Sequence, residues 1–311
     1  MNNSIAILGA TSHIAKGLIF NFIKSGRSNK LFLFSRSPER IKKFLKENGL
    51  KGDIRIERFQ NFPLHNYDTI INCVGIGTPN KIKNIMASVF QLTEEFDNLV
   101  ISYLEKHPRS RYINFSSGAV YGGIFSEQIR EDTVCKVAVN DLKMQDCYGI
   151  AKINSEAKHR SRKDLNIVDI RIFSYFSRFI DFDSGYFLSD ALKSIKENRE
   201  LRVDACDFTR DYLGPDDLFS LVKLIIKNKP FNGALDAYSR KPVRKFKLLD
   251  FFTKKYGLRY VFDKKAKFNC PTGKKNVYSS LCRQAARLGY KPKFTSLESV
   301  RLESGFIFFP E

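Results

Sequence analysis

The stretch Ser4-Ile-Ala-Ile-Leu8-Gly9-Ala-Thr-Ser12-His-Ile-Ala15 sets a short apolar, β-branched run against a glycine, and helical spacing of apolar residues continues over 14–23. It reads as strand, tight turn, helix. Outward from it the same alternation recurs. Residues 30–35 (KLFLFS) form a second apolar run, 53–59 alternate as a third strand, and 67–74 (YDTIINCV) read as a fourth. Helical periodicity over 88–105 leads to a fifth strand at 111–116, and a helix at 148–160 leads to a sixth at 166–173, with a further helix at 185–198. Strands alternating with helices indicate βαβ units and a parallel sheet covered on both faces. The fold class is therefore α/β, a Rossmann-type doubly wound parallel sheet. Beyond about residue 174 the alternation loosens into a basic, loop-rich region. The expected division is a nucleotide-binding domain over 1–173 and, over 174–311, mainly a smaller C-terminal substrate-binding lobe with segments returning to the sheet.

A chain of 311 residues that is 43% hydrophobic, with 28 Phe and 13 Tyr, has ample material for a packed core. The six cysteines, at 73, 135, 147, 206, 270 and 282, form no C-x-x-C pair and have no His at ligand spacing, so neither a zinc site nor a redox motif is expected. They read as buried thiols in a reducing compartment. No basic segment precedes the first apolar run and no run reaches the length of a membrane span, which makes a cytoplasmic location the expectation. The net charge of +20 is concentrated: between Arg240 and Lys293 stand 17 Lys or Arg against only Asp250 and Asp263. Such a field attracts a nucleoside diphosphate, an anionic membrane surface or nucleic acid, and it is equally compatible with a solvated Lys-rich surface. No zinc-finger spacing or aromatic ribonucleoprotein motif accompanies the charge, which argues against nucleic acid.

A dinucleotide site needs a tight turn between the first strand and helix, because the pyrophosphate rests on N–H groups at the helix N-terminus. Of the three glycine positions usual in that turn, this chain keeps Gly9 and fills the others with the small residues Ser12 and Ala15. After the second strand, where an acid often binds the ribose 2′-OH, stands Ser35-Arg36-Ser37. An Arg there suits a 2′-phosphate, so NADP(H) is favoured over NAD(H), with Arg40 one helical turn on as a helper. The alternative is an exposed Arg in a loop.

Tyr148-Gly-Ile-Ala-Lys152 places a phenol and an ammonium on one helix face. An ammonium beside a phenol favours the phenolate and makes it a usable acid or base. A second copy, Tyr260-Val-Phe-Asp-Lys264, reads as chance in a Lys-rich region. Context separates them: Phe115-Ser-Ser117-Gly-Ala-Val-Tyr-Gly122 precedes Tyr148, a strand ending in hydroxyls before a turn. The carboxyl ends of parallel strands line the ligand crevice, so Ser117 is expected beside substrate.

Taken in order, GATSHIA, INCVG, FSSGAVYGG, YGIAK followed by NSEA, RIFSYFS, RDYLGPDDL and ARLGYKP resemble the NAD(P)-dependent epimerase/dehydratase family, the extended short-chain dehydrogenase/reductases. The resemblance implies Tyr148 as catalytic acid/base, Lys152 as its partner and ribose ligand, and Ser117 as the orienting hydroxyl. It implies a cofactor running over Gly9, Thr11, Ser12, His13 and Ile14, past Arg36, Val74 and Gly75, to a nicotinamide by Ile172 and Phe173. Ser174 and Arg210 would contact the substrate diphosphate, an Arg fork matching phosphate oxygens; the alternative for Arg210 is a salt bridge to Asp211 or Asp216. The family's common homodimer is implied as well. Two departures stand out. Sugar-nucleotide 4,6-dehydratases place Asp-Glu after the hydroxyl residue where this chain has Gly118-Ala119, and Ser174 stands where epimerases often have Asn. The expected activity is an NADPH-dependent reductase of a 4-keto deoxysugar on a nucleoside diphosphate, in surface polysaccharide biosynthesis, with a 4-epimerase using retained NAD as the alternative. A non-catalytic NADP-sensing protein is the reading from another class.

Overall fold

The computed structural model describes residues 3–26, 30–75, 88–122, 125–263 and 275–309. In chain order the strands are β1 (Ser4–Leu8), β2 (Lys30–Phe34), β3 (Ile54–Glu57), β4 (Thr69–Asn72), β5 (Arg111–Ser117), β6 (Ile167–Ile172), β7 (Ser174–Tyr175), β8 (Leu201–Val203), β9 (Thr209–Arg210), β10 (Tyr212–Leu213), β11 (Gly233–Ala237), β12 (Val243–Arg244), β13 (Tyr260–Phe262) and β14 (Val277–Tyr278). The helices described are α1 (His13–Lys24), α2 (Pro38–Glu47), α3 (Ser88–Lys106), α4 (Met144–Ser161), α5 (Phe187–Lys196), α6 (Pro215–Lys227), α7 (Lys245–Tyr256) and α8 (Ser296–Phe308).

Seven strands form one sheet in the order β11-β6-β5-β4-β1-β2-β3, every pairing parallel. This is the doubly wound architecture that the alternation predicts. Strands β1 and β2 are largely apolar on both faces because both are covered. Ile5, Ile7, Leu31 and Leu33 turn to one side, where Leu18 and Phe22 of α1, Phe44 of α2 and Leu218 and Val222 of α6 meet them. Ala6, Leu8, Phe32 and Phe34 turn to the other, against Phe96, Val100 and Leu104 of α3. A separate cluster in the C-terminal part joins Leu188 and Leu192 of α5, Val203 of β8, Leu248 and Phe252 of α7 and Val300 of α8. Around it lie the small pairings β7 with β10, β9 with β12 and β14, and β8 with β13.

Some elements differ from the sequence reading. The third strand stops at Glu57, and residues 59–64 wind into a 3-10 helix containing Pro63, whose missing N–H cannot extend the ladder. Helix α2 escapes the apolar pattern because its buried side is narrow, only Ile41, Phe44 and Leu45 among charged residues. The thiols are not uniformly buried: Cys73 and Cys282 are, Cys135 and Cys147 are half-buried, and Cys206 is exposed; Cys270 lies outside the described residues. The basic stretch is not all surface either. Lys245 is fully buried, its ammonium donating to the Asp204 carbonyl and carboxylate at 2.8 and 3.0 Å and to the Cys206 carbonyl. No helix among the described residues is long and apolar enough to cross a membrane.

Candidate active site

The sheet order reverses between β1 and β4, and in open α/β sheets ligands bind in the crevice outside the strand ends at that point. Gly9 sits there with φ +72°, and a Cβ on it would lie 2.9 Å from the Cys73 carbonyl and from Val74 N, so only glycine fits the turn. Ser12 caps α1, its Oγ accepting from Ala15 N at 3.3 Å. The next N–H groups, of His13 and Ile14, have no acceptor within the helix, and the first turn carries no acid. This helix end suits an anion. Thr11 lies half-buried in the turn. The His13 ring turns inward to meet Tyr175 edge-on at 4.9 Å, and burial drives its pKa down to about 4 against an opposing backbone hydrogen bond at Ser177. The imidazole is therefore neutral.

Val74 is half-buried and Gly75 exposed just past β4, and among the described residues nothing crowds a Cβ built on Gly75. Arg36 is exposed two residues after β2, and Arg40 follows on α2, also exposed. Neither guanidinium makes an ion pair among the described residues. The open strand end, the capped glycine turn and these cations fit the pyrophosphate and ribose of a dinucleotide.

Strand β5 delivers the hydroxyl. All seven of its residues are buried, and Ser117 ends it by capping a 3-10 turn, its Oγ accepting from Ala119 N at 3.2 Å. Helix α4 crosses beside it and starts at Met144, four residues before the predicted helix. Tyr148 is half-buried, packing with Val89 and Ala151. One turn on, Lys152 is buried and its Nζ donates to the Phe115 carbonyl at 2.9 Å, which pins the ammonium beside the end of β5. Lys152 and Ser117 thus both meet the end of β5, with Tyr148 one turn before Lys152 on α4. A fourth side chain joins them that the sequence reading did not single out: the Tyr278 hydroxyl lies 3.1 Å from Ser117 Oγ. Burial pushes the Tyr278 phenol up, with the Ser117 hydrogen bond opposing and the charge of neighbouring Tyr148 adding to the rise.

Ile172 and Phe173 lie buried at the end of β6. Phe173 presses on Gly118 so closely that a Cβ there would stand 2.6 Å from its ring. No side chain fits at 118 without displacing Phe173, a physical reason for the departure from the dehydratase Asp-Glu pair. Ser174 is half-buried in β7, paired with Tyr212. Arg210 donates to the carbonyls of Thr209 and Lys275 at 3.1 and 2.6 Å, with its guanidinium 4.5 Å from the Phe208 ring and 5.8 Å from that of Tyr278. The salt-bridge alternative for it is not formed: Asp211 is taken by Ser239 N and Ser296 Oγ, and Asp216 by Asn21. Tyr260 lies on strand β13 rather than a helix, and its partner Lys264 lies outside the described residues.

Behind the site runs a buried ionic interior that spacing did not reveal. Glu156, one turn past Lys152, takes Arg171 Nη2 at 2.5 Å and Ser116 Oγ at 2.6 Å. Arg171 also donates to Tyr121, which donates to Asp236. One turn further, His159 bridges two carboxylates, Nε2 to Asp97 at 2.6 Å and Nδ1 to Asp169 at 2.9 Å. Burial alone would depress His159, but the bonds and charges of Asp169 and Asp97 outweigh it and push it up to about 9. Ser116, Tyr121, Glu156 and Arg171 lay within the motifs FSSGAVYGG, NSEA and RIFSYFS, but nothing in those motifs marked them as one ionic network. The charges of Asp97, Asp169 and Arg171 come from other elements, at no fixed spacing.

A seven-stranded parallel sheet with this strand order and a glycine turn at its switch point is the architecture of Rossmann-type enzymes. The chain belongs to the NAD dependent epimerase/dehydratase family, whose sequence model matches residues 5–237. Among solved structures it resembles the UDP-glucuronic acid 4-epimerase of Bacillus cereus in complex with UDP-glucuronic acid and NAD, at 15% identity over 98% of this chain and 99% of that one, TM-score 0.77. It likewise resembles the UDP-N-acetylglucosamine 4-epimerase of Methanobrevibacter ruminantium M1, at 14% identity over 98% of that chain and 99% of this one, TM-score 0.78. The ADP-L-glycero-D-manno-heptose-6-epimerase of Helicobacter pylori matches at 13% identity over 99% of this chain and 97% of that one, TM-score 0.78. No curated protein sequence matches the chain.

Proposed function

We propose that the chain reduces a 4-keto group on a nucleoside-diphosphate deoxysugar with NADPH. Arg36 carries this reading, because a cation without an ion-pair partner among the described residues, standing where an acid would bind a ribose 2′-OH, suits a 2′-phosphate. Crowding at Gly118 supports leaving dehydration aside. The bound nicotinamide would supply hydride. Tyr148 would give the proton to the substrate oxygen, Lys152 would orient the ribose and favour the phenolate left behind, and Ser117 would hold the oxygen in line. Ile172 and Phe173 would flank the nicotinamide, while Arg210 and Ser174 would meet the diphosphate.

A second reading, a 4-epimerase with retained NAD, is supported by the family and by structural neighbours that are 4-epimerases, one in complex with UDP-glucuronic acid and NAD. The two need the same side chains and differ in cofactor stoichiometry. Incubation with NADPH and a panel of 4-keto nucleotide sugars is expected to consume NADPH one for one. Turnover of a hydroxyl sugar on retained NAD, with no net change in nicotinamide absorbance, would overturn reduction in favour of epimerisation. To the same reading belong a cytoplasmic homodimer and peripheral contact of the basic stretch with the anionic membrane where surface polysaccharide is assembled.

A further inference from the structure

Resting on the nucleotide-sugar reading above, we propose that Tyr278 is a positioning residue that fixes Ser117 as a one-way hydrogen-bond donor towards the reacting oxygen of the substrate. A serine hydroxyl has one proton and two acceptor sites. One site of Ser117 already receives Ala119 N–H. The direction of the bond to Tyr278 decides the rest. If Ser117 donated, the buried phenol proton would be left seeking another acceptor, a costly arrangement. If Tyr278 donates, both acceptor sites of Ser117 are filled and its own proton has no acceptor among the described residues, which leaves it for the substrate oxygen.

The ring of Tyr278 is held so that it cannot swing away. Phe125 meets it edge-on at 4.9 Å, Phe173 meets it at 5.0 Å, and Lys275 Nζ lies 4.1 Å from its centroid. Its backbone is fixed in β14 by pairing with Arg210 of β9. Burial also keeps the phenol protonated, so it serves as donor throughout. A preset donor aimed at an oxygen that gains negative charge strengthens in the transition state more than in the ground state. Tyr278 acts through Ser117 and therefore affects kcat more than KM.

The test is a double-mutant cycle on the purified full chain with whichever nucleotide sugar the wild type turns over. Tyr278→Phe keeps the ring contacts and is expected to lower kcat about 10- to 100-fold with KM nearly unchanged. In a Ser117→Ala background the same substitution is expected to change kcat less than about twofold. A folding defect would lower both backgrounds equally, so it cannot imitate this loss of effect. Equal losses in the two backgrounds, or a Tyr278→Phe enzyme as fast as wild type, overturn the proposal. Wild-type protein inert towards every keto and hydroxyl nucleotide sugar overturns the functional reading itself, and this proposal with it.

Discussion

Tyr148 and Lys152 on the first half of α4, and Glu156 and His159 on the second, follow one another at near-helical spacing and face the same sheet. The second pair is saturated. His159 sits between two carboxylates, which themselves receive Lys158 at 2.6 Å and Arg160 at 2.7 Å, and Tyr112 and Asn114 add hydrogen bonds from β5. Among the described residues the first pair is left open: Tyr148 is half-buried, and Lys152 donates to one carbonyl. Adjacent residues of β5 divide in the same way, Ser116 donating to the carboxylate of Glu156 and Ser117 meeting the Tyr278 hydroxyl at the end of the strand. One helix therefore carries a stable ionic interior at one end and chemically uncommitted groups at the other. Saturation suits structure, and reserved capacity suits the chemistry proposed for Tyr148 and Lys152.

Breaking the open half should give the largest effect. Tyr148→Phe is expected to lower turnover about 10²- to 10⁴-fold, with urea unfolding unchanged, as read by kinetics and denaturation on the same preparation. An active variant would remove Tyr148 from its proposed role.

Breaking the saturated half should do the reverse. His159→Gln leaves Asp97 and Asp169 buried without their shared cation and is expected to cost about 3–5 kcal/mol of stability. Because the folded pKa of His159 is raised from the ordinary 6.5 to about 9, its contribution is complete below pH 6.5 and is lost as pH rises through about 9. Denaturation across pH 6 to 10 should show that fall in the wild type and not in the variant. A wild-type profile flat through this window would mean that the bridge holds no proton.

The smallest effect sharpens the comparison most. Ser116→Ala should cost about 1 kcal/mol of stability and leave turnover nearly intact, whereas Ser117→Ala should do the opposite. Matching phenotypes for two neighbours on one strand would dissolve the distinction.

Much of the fold was legible because burial on both sheet faces forces near-continuous apolar strands, as in SIAIL and KLFLF, and leaves an alternating pattern. Gly9, Ser117, Tyr148 and Lys152 were legible because a tight turn, a strand end and a helix face each fix side-chain direction from local spacing. Tyr278 was not, being 161 residues from the Ser117 it touches. Nor was the packing of Phe173 on Gly118, which explains a departure that spacing could only record.

By itself the sequence determined the sheet, the glycine turn and the order of the Ser, Tyr and Lys residues, since these follow from periodicity and short-range sterics. Only the tertiary structure decided that His159 bridges two buried carboxylates, that Lys245 of the basic stretch is interior, and that Tyr278 meets Ser117. These depend on charge pairs and hydrogen bonds between distant elements, whose strength is set by burial and separation in space, and neither quantity is written in local spacing.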